Sequence, residues 1–348
     1  MTSRMDHIRG IQHDAVSAWF EANVPGVALP LTFELIAGGH SNLTFKATDA
    51  DGQRYVLRRP PLYQVLATAH DMGREHKIIA ALADTDVPVP QAFGLCEDEQ
   101  VNERPFYVMD FVDGKVVRNR KHAAALTPEV RWTASQSIAE TLAHIHAVDV
   151  DEVGLGDLGR KEDYIARQLR RWLRQFEESK TQDRPQIQEV HDHLVARIPE
   201  QGQAGIVHGD YRLDNCMLSD EGEVLAVLDW ELCTLGDRNA DVAQLLVYWA
   251  EPDDSEFALD DPPTGEAGFA SRAEMFDLYS EVSGREIDNF GYYMAFGYWK
   301  LACILEGVYS RYVGGAMGDK APPQGADSFV ARVDALVEMA TSAAEQVA

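Results

Sequence analysis

The chain has 348 residues, 45% apolar and 25% charged, the balance of a folded protein rather than a disordered one. At about 150 residues per domain, this length predicts two domains or one two-lobed unit. Lys and Arg total 31 against 57 Asp and Glu, a net charge of −26, which argues against nucleic acid and against an anionic membrane as partners.

Cys96, Cys216, Cys233 and Cys303 lie far apart and form no C-x-x-C pair, so neither a disulfide framework nor a zinc cluster is expected. The opening residues contain no apolar run of signal-peptide length. The most apolar later stretch, 291–308, is interrupted by Lys300 and Glu306 and falls short of a membrane span. The expectation is a cytoplasmic protein without a membrane partner. Its oligomeric state is left open.

Taken in chain order, residues 10–24 read as a short amphipathic helix ended by Pro25-Gly26. From Leu31 to Pro61 apolar and polar residues alternate in three runs separated by Gly38-Gly39 and Asp49-Ala50-Asp51-Gly52, which predicts three antiparallel strands. A helix is expected at about 68–84, followed by strands at 91–97 and 104–112, the second nearly all apolar. Beyond Asp113-Gly114 the pattern becomes helical. Thr127-Pro128-Glu129 is a helix start, with a cap, a proline at the first position and an acid at the positive dipole end. Ile165, Leu169, Trp172, Leu173 and Phe176 form one apolar helix face. Strands return between 204 and 231, and helices resume from about 237. The predicted class is α+β: a small antiparallel β lobe with one helix, then a larger, mainly helical lobe. The division is expected at 1–112 and 113–348, with a hinge near 109–112.

The chemistry concentrates in His208-Gly209-Asp210-Tyr211-Arg212-Leu213-Asp214-Asn215 and in Leu228-Asp229-Trp230-Glu231. A hairpin between these segments would return Asp229 to the neighbourhood of Asn215. Two carboxylates and an amide oxygen would then converge, the set that phosphoryl transfer needs: one Asp to orient a hydroxyl, an Asn and an Asp as hard ligands for Mg²⁺.

These two segments resemble the catalytic and metal loops of the aminoglycoside phosphotransferase family, the small-molecule branch of the protein-kinase-like fold. The resemblance covers roughly residues 30–250. It implies Asp210 as catalytic base, Asn215 and Asp229 as Mg²⁺ ligands, and Arg212 as a basic residue facing the γ-phosphate. Gly38 to Leu43, with Gly39, His40, Ser41 and Asn42 at its centre, resembles the nucleotide-positioning loop, whose small residues admit phosphate oxygens to backbone N–H groups. ATP is the implied cofactor, seated between the lobes.

One position departs from the kinase pattern. Arg58 stands where a lysine is expected to grip the α- and β-phosphates, and the two are not interchangeable; Arg59 is a rival for the role. Glu75 matches the acid that pairs with that cation. Met109, Asp110, Phe111 and Val112 match the segment that meets the adenine. His208 is expected to support its loop, Asp237 to cap a helix and Asp241 to brace the loop. The pairs His144/His146 and His191/His193 have no metal-ligand spacing and are assigned structural roles.

Two features bear on the acceptor, a small-molecule hydroxyl. The acids of 251–261 could attract a polyamine such as an aminoglycoside. Arg167, Arg170, Arg171 and Arg174, on one side of a helix, could hold the phosphates of a coenzyme A thioester. The arrangement R-Q-x-x-R-W, with VLRRPP and HGDYRLDN, resembles the subgroup related to kinase-like domains joined to acyl-CoA dehydrogenases, which implies a hydroxyacyl-CoA acceptor. An antibiotic kinase and a non-catalytic nucleotide-binding pseudokinase are the competing expectations.

Overall fold

The computed structural model describes residues 8–37, 42–62, 71–254, 258–315 and 325–347. The chain divides into two compact units. One comprises Met1–Gly114 with Leu225–Glu231, the other Lys115–Val224 with Leu232–Ala348.

The first unit opens with α1 (His13–Asn23) and contains β1 (Thr32–Ala37), β2 (Leu43–Thr48), β3 (Arg54–Arg59), α2 (Met72–Leu82), β4 (Ala92–Cys96), the short α3 (Glu99–Asn102) and β5 (Phe106–Asp110). The strands form one antiparallel sheet in the order β1-β2-β3-β5-β4. Strand side chains alternate between faces, and that alternation sorts the sheet. Phe33, Phe45, Tyr55, Leu57, Phe106 and Val108 form an apolar core with Val16 and Phe20 of α1. Arg58 lies directly across from Tyr107 in the β3–β5 register, and Val56 across from Met109, so these four share the opposite face. Helix α2, which packs against β4 and β5, begins at Asp71, whose side chain accepts the Arg74 N–H at 2.9 Å. The segment 225–231 is fastened to this unit by the Val227 N–H, which donates to the Pro88 carbonyl at 2.8 Å.

The second unit contains α4 (Arg120–Ala124), α5 (Pro128–Ala147), α6 (Tyr164–Ser179), α7 (Pro185–Val195), β6 (Gly205–Val207), β7 (Cys216–Leu218), β8 (Val224–Val227, whose last three residues belong to the first unit), β9 (Thr234–Gly236), α8 (Asn239–Tyr248), α9 (Arg272–Ser283), α10 (Phe290–Val313) and α11 (Ala326–Glu345). The strand β9, three residues long, was not expected from the sequence; it pairs antiparallel with β6. The core gathers on α10, with Tyr292, Phe296, Trp299 and Leu301 buried against α6, α8 and α11. Its two interrupting charges are buried with partners, as buried charges must be. Glu306 accepts from Arg184 Nη1 at 2.9 Å and from Thr181 Oγ1 at 2.8 Å, while Lys300 is described below. Among the described residues, no helix is long and apolar enough to cross a membrane.

Candidate active site

In the first unit, the alternation of β3 brings Arg58 up to α2. Its Nε lies 2.9 Å from Glu75 Oε2, and its Nη2 donates to Asp229 Oδ1 at 2.6 Å. Glu75 is 2% exposed. Asn42 Nδ2 donates to its Oε1 at 2.8 Å and the Tyr107 hydroxyl to its Oε2 at 3.1 Å. Burial opposes the charge on Arg58, but Glu75, Tyr107 and Asp229 outweigh it and hold the guanidinium above its ordinary range. Burial pushes the Glu75 carboxyl up, with Arg58 pulling in the other direction. Asp229 sits at φ 64°, the left-handed region that costs a non-glycine residue and recurs at functional sites.

The rival cation is accounted for elsewhere. Arg59 points to the core face, where Nη1 donates to the Gly10 carbonyl at 2.5 Å and Nε to the Pro60 carbonyl at 3.2 Å. Of the expected nucleotide loop, Gly39, His40 and Ser41 lie outside the described residues, and Asn42 is committed to Glu75. Met109 and Asp110 end β5. Phe111 stacks under the Arg54 guanidinium at 4.6 Å, and its N–H is held by Asp110 Oδ1 at 2.9 Å. Val112 follows, half-buried.

In the second unit, Asp210 sits on a loop pinned from several directions. The N–H groups of His208 and Gly209 donate to Asp241 at 2.5 and 2.9 Å. The Asp210 N–H donates to His208 Nδ1 at 3.3 Å. Gly209 has φ 83°, and a Cβ there would meet the Leu232 carbonyl at 2.9 Å, so glycine alone fits both the dihedral and the space. Asn215 Nδ2 donates to the Asp210 carbonyl at 2.8 Å and to Oδ2 at 2.9 Å, leaving the amide oxygen as the group available to a cation. Arg212 Nε lies 3.4 Å from Asp210 Oδ1 and 3.2 Å from Asp214 Oδ1, with the guanidinium over Tyr248 at 4.9 Å. Tyr211 anchors the loop below through a hydroxyl donated to the Ile138 carbonyl at 2.8 Å.

Asp237 accepts the Asn239 N–H at 3.1 Å at the start of α8 and the Tyr293 hydroxyl at 2.8 Å. Lys300 escaped the sequence reading, and His146, read there as structural, turns out to brace Asp241. Lys300, 6% exposed on α10, donates to Gln244 Oε1 at 3.0 Å and to the Gly209 carbonyl at 3.4 Å. The peptide preceding Asp210 is thus held at its carbonyl by Lys300 and at its N–H by His208. His146 Nε2 lies 3.6 Å from Asp241 Oδ2, and its Nδ1 is 2.8 Å from the Tyr279 hydroxyl. Burial holds this imidazole below its ordinary pKa. No local pattern signals these contacts, because Lys300 reaches Gly209 across 91 positions and His146 reaches the loop only through Asp241, far along the chain.

The acidic stretch is less available than its composition suggests. Arg272 pairs with Glu251 at 3.1 Å and with Asp254, and Arg332 Nη1 lies 3.4 Å from Asp260. On α6, Arg170, Arg171 and Arg174 are exposed while Arg167 is half-buried. Among the described residues, no group of three or more His, Cys, Asp or Glu could hold a metal ion.

A five-stranded antiparallel sheet in one unit, a helical second unit and this loop chemistry describe a kinase-like phosphotransferase. The model of the phosphotransferase enzyme family, the aminoglycoside phosphotransferase type, matches residues 32–273, and the chain belongs to that family. Among solved structures, it is similar to a Ralstonia eutropha protein provisionally described as an aminoglycoside phosphotransferase. That match has 35% identity and a TM-score of 0.81, covering 96% of this chain and 98% of the other. The aminoglycoside phosphotransferase APH(4)-Ia, solved with AMP-PNP and hygromycin B, shares the fold at 18% identity and a TM-score of 0.60, over 93% of this chain and 98% of that one. Among curated relatives, mouse acyl-CoA dehydrogenase family member 10 is 38% identical over 80% of this chain. The chain spans only 26% of that relative's length.

Proposed function

We propose that this chain is a cytoplasmic, Mg²⁺- and ATP-dependent phosphotransferase that phosphorylates a hydroxyl of a small molecule, with hydroxyacyl-CoA thioesters as the favoured acceptors. The observation that carries the reading is the Asp210 carboxylate, oriented by Asn215 and Arg212 on a loop whose backbone is pinned at three successive peptides. Such preorganisation is what phosphoryl transfer asks of a protein, since positioning and charge supply most of the rate.

In this reading Asp210 accepts the hydrogen bond of the acceptor hydroxyl. As the acceptor oxygen bonds to the γ-phosphorus, the bond to the β-phosphate oxygen breaks, ADP leaves and the hydroxyl proton passes to Asp210. Arg212 exchanges a carboxylate contact for the transferring phosphoryl group. Arg58, braced by Glu75, grips the α- and β-phosphates. The segment 39–42 covers the phosphates, and Met109 to Val112 meet the adenine at a hinge dividing 1–112 from 113–348. The donor chemistry suits Mg²⁺: the Asn215 amide oxygen and the Asp229 carboxylate are hard ligands, and Mg²⁺ ordinarily completes its shell with water and phosphate oxygens rather than a cage of protein acids. When bound, Mg²⁺ neutralises charge developing on the phosphates.

Arg58 was the single feature favouring a pseudokinase; its pairing with Glu75 gives that cation the partner expected of the lysine. The pairing of Glu251, Asp254 and Asp260 with arginines weighs against a polyamine acceptor, while the exposed arginines of α6 and the kinship with acyl-CoA dehydrogenase family proteins favour a coenzyme A thioester. Asp210→Ala is expected to lower Mg²⁺-dependent phosphorylation of hydroxyacyl-CoAs by at least about 100-fold with nucleotide affinity unchanged. An undiminished rate removes Asp210 from the reaction. Equal turnover of aminoglycosides by the native chain would overturn the acceptor class.

A further inference from the structure

In the first unit, Arg58 serves two carboxylates through two different nitrogens: Nε lies 2.9 Å from Glu75 Oε2, and Nη2 donates to Asp229 Oδ1 at 2.6 Å. The two ends of this bridge differ. The Glu75 side chain is 2% exposed and also accepts from Asn42 Nδ2 and the Tyr107 hydroxyl, which fixes that edge of the guanidinium in the interior. The Asp229 side chain is 34% exposed, and among the described residues Arg58 is its one ionic partner. A solute can therefore compete for the Asp229 end of the bridge but not for the Glu75 end.

Charge and donor geometry say what would compete. Two carboxylates share one guanidinium, a net charge of −1 for the cluster. Burial pushes the Glu75 carboxyl up and Arg58 pulls it down, but Asp229 pushes it up again, the repulsion expected where two acids share one cation. A further cation is therefore favoured at the exposed acid, and an anion at the Nη2 edge once that acid is satisfied. Arginine makes both exchanges possible, because its donors are spread over a rigid fork where a lysine has a single nitrogen. The guanidinium can let go of Asp229 at one edge while the other stays on Glu75.

We infer that Arg58 Nη2 is a tethered counter-ion for Asp229, holding the carboxylate until a divalent cation and a nucleotide phosphate divide this one hydrogen bond between them. The cation takes the carboxylate and the phosphate takes the N–H donors. The inference rests on the proposed function, which makes Asp229 a Mg²⁺ ligand and Arg58 a phosphate contact, and it adds that metal and nucleotide affinities are coupled through this side chain. By linkage, each ligand strengthens the other by the same factor. Metal alone has to displace a charged donor and binds weakly.

Titration of the full chain with Mn²⁺ in the absence of nucleotide tests this, with free Mn²⁺ counted by electron paramagnetic resonance; Mn²⁺ favours the same oxygen ligands as Mg²⁺. Arg58→Met, which removes the counter-ion, is expected to bind Mn²⁺ at least about tenfold tighter than the native chain, opposite in sign to its expected loss of Mg²⁺-ATP affinity. Arg58→Lys keeps the charge beside Glu75 but lacks the second donor edge, and should bind at least about threefold tighter. Adding Asp229→Asn to Arg58→Lys should cancel that gain. Native affinity in a folded Arg58→Lys protein overturns the inference, as does a gain that survives Asp229→Asn. The first of these results, with Mn²⁺ binding still weakened by Asp229→Asn, leaves the proposed metal ligand standing. Indifference of Mn²⁺ binding to Asp229→Asn removes that ligand from the proposed function as well.

Discussion

Replacing Arg58 by Met tests the ionic centre of the first unit. Charges 2.9 Å apart attract by about 6 kcal/mol at an effective dielectric constant near 20, but most of that offsets their removal from water. The measurable effect is the stranding of the partner, which for a buried pair costs about 3–5 kcal/mol. Glu75 would keep the hydrogen bonds from Asn42 and Tyr107, so the expected loss lies lower, at about 2–3 kcal/mol. Glu75→Gln strands Arg58 in turn, which keeps Asp229, and is expected to cost about 2 kcal/mol. The double variant strands no charge between the two positions, so it should cost less than Arg58→Met alone, a coupling of at least about 2 kcal/mol. Urea denaturation of the four proteins measures the coupling. Titration with Mg²⁺-ATP should show at least tenfold weaker binding in Arg58→Met. Additive costs would show that Arg58 and Glu75 do not act as a pair, and unchanged nucleotide affinity would remove Arg58 from the phosphate site.

The bracing residues yield two further expectations. Lys300→Met frees the Gly209 carbonyl and should reduce kcat about tenfold with the nucleotide KM within twofold of native, an effect Lys300→Arg partly restores; an unchanged kcat refutes the bracing role. Burial holds His146 below its ordinary pKa of 6.5, so the native state stays neutral where the unfolded chain takes up a proton. Stability should therefore fall as pH drops below 6.5, by at most about 1.4 kcal/mol per pH unit from this group. Thermal melts between about pH 5 and 7 should show a shallower slope in His146→Gln, and an identical slope would contradict the assignment.

The loop from His208 to Asn215 was legible because its chemistry is local. Asn215 reaches Asp210 across five positions, and Gly209 marks the left-handed turn just before Asp210. The Arg58–Glu75 pair was legible only through resemblance, since nothing nearby in sequence links a strand position to a helix position 17 residues on. The face of β3 decided between Arg58 and Arg59: alternation sends the first toward α2 and the second toward the aromatic core. The acids of 251–261 could attract a polyamine on sequence grounds, and the cations that pair with Glu251, Asp254 and Asp260 were not foreseen because Arg272 and Arg332 lie up to 72 positions away.

By itself, the sequence determined the α+β class, the strand pattern of the first unit and the helical character of the second, all of which follow from periodicity and short spacing. Tertiary structure alone decided that Asp229 adopts a left-handed backbone and that Lys300 and His146 stand behind the Asp210 loop. Side-chain periodicity and turn chemistry act over a few residues. Burial, ion pairing and cavities depend on which distant segments are packed together, and no local pattern records that.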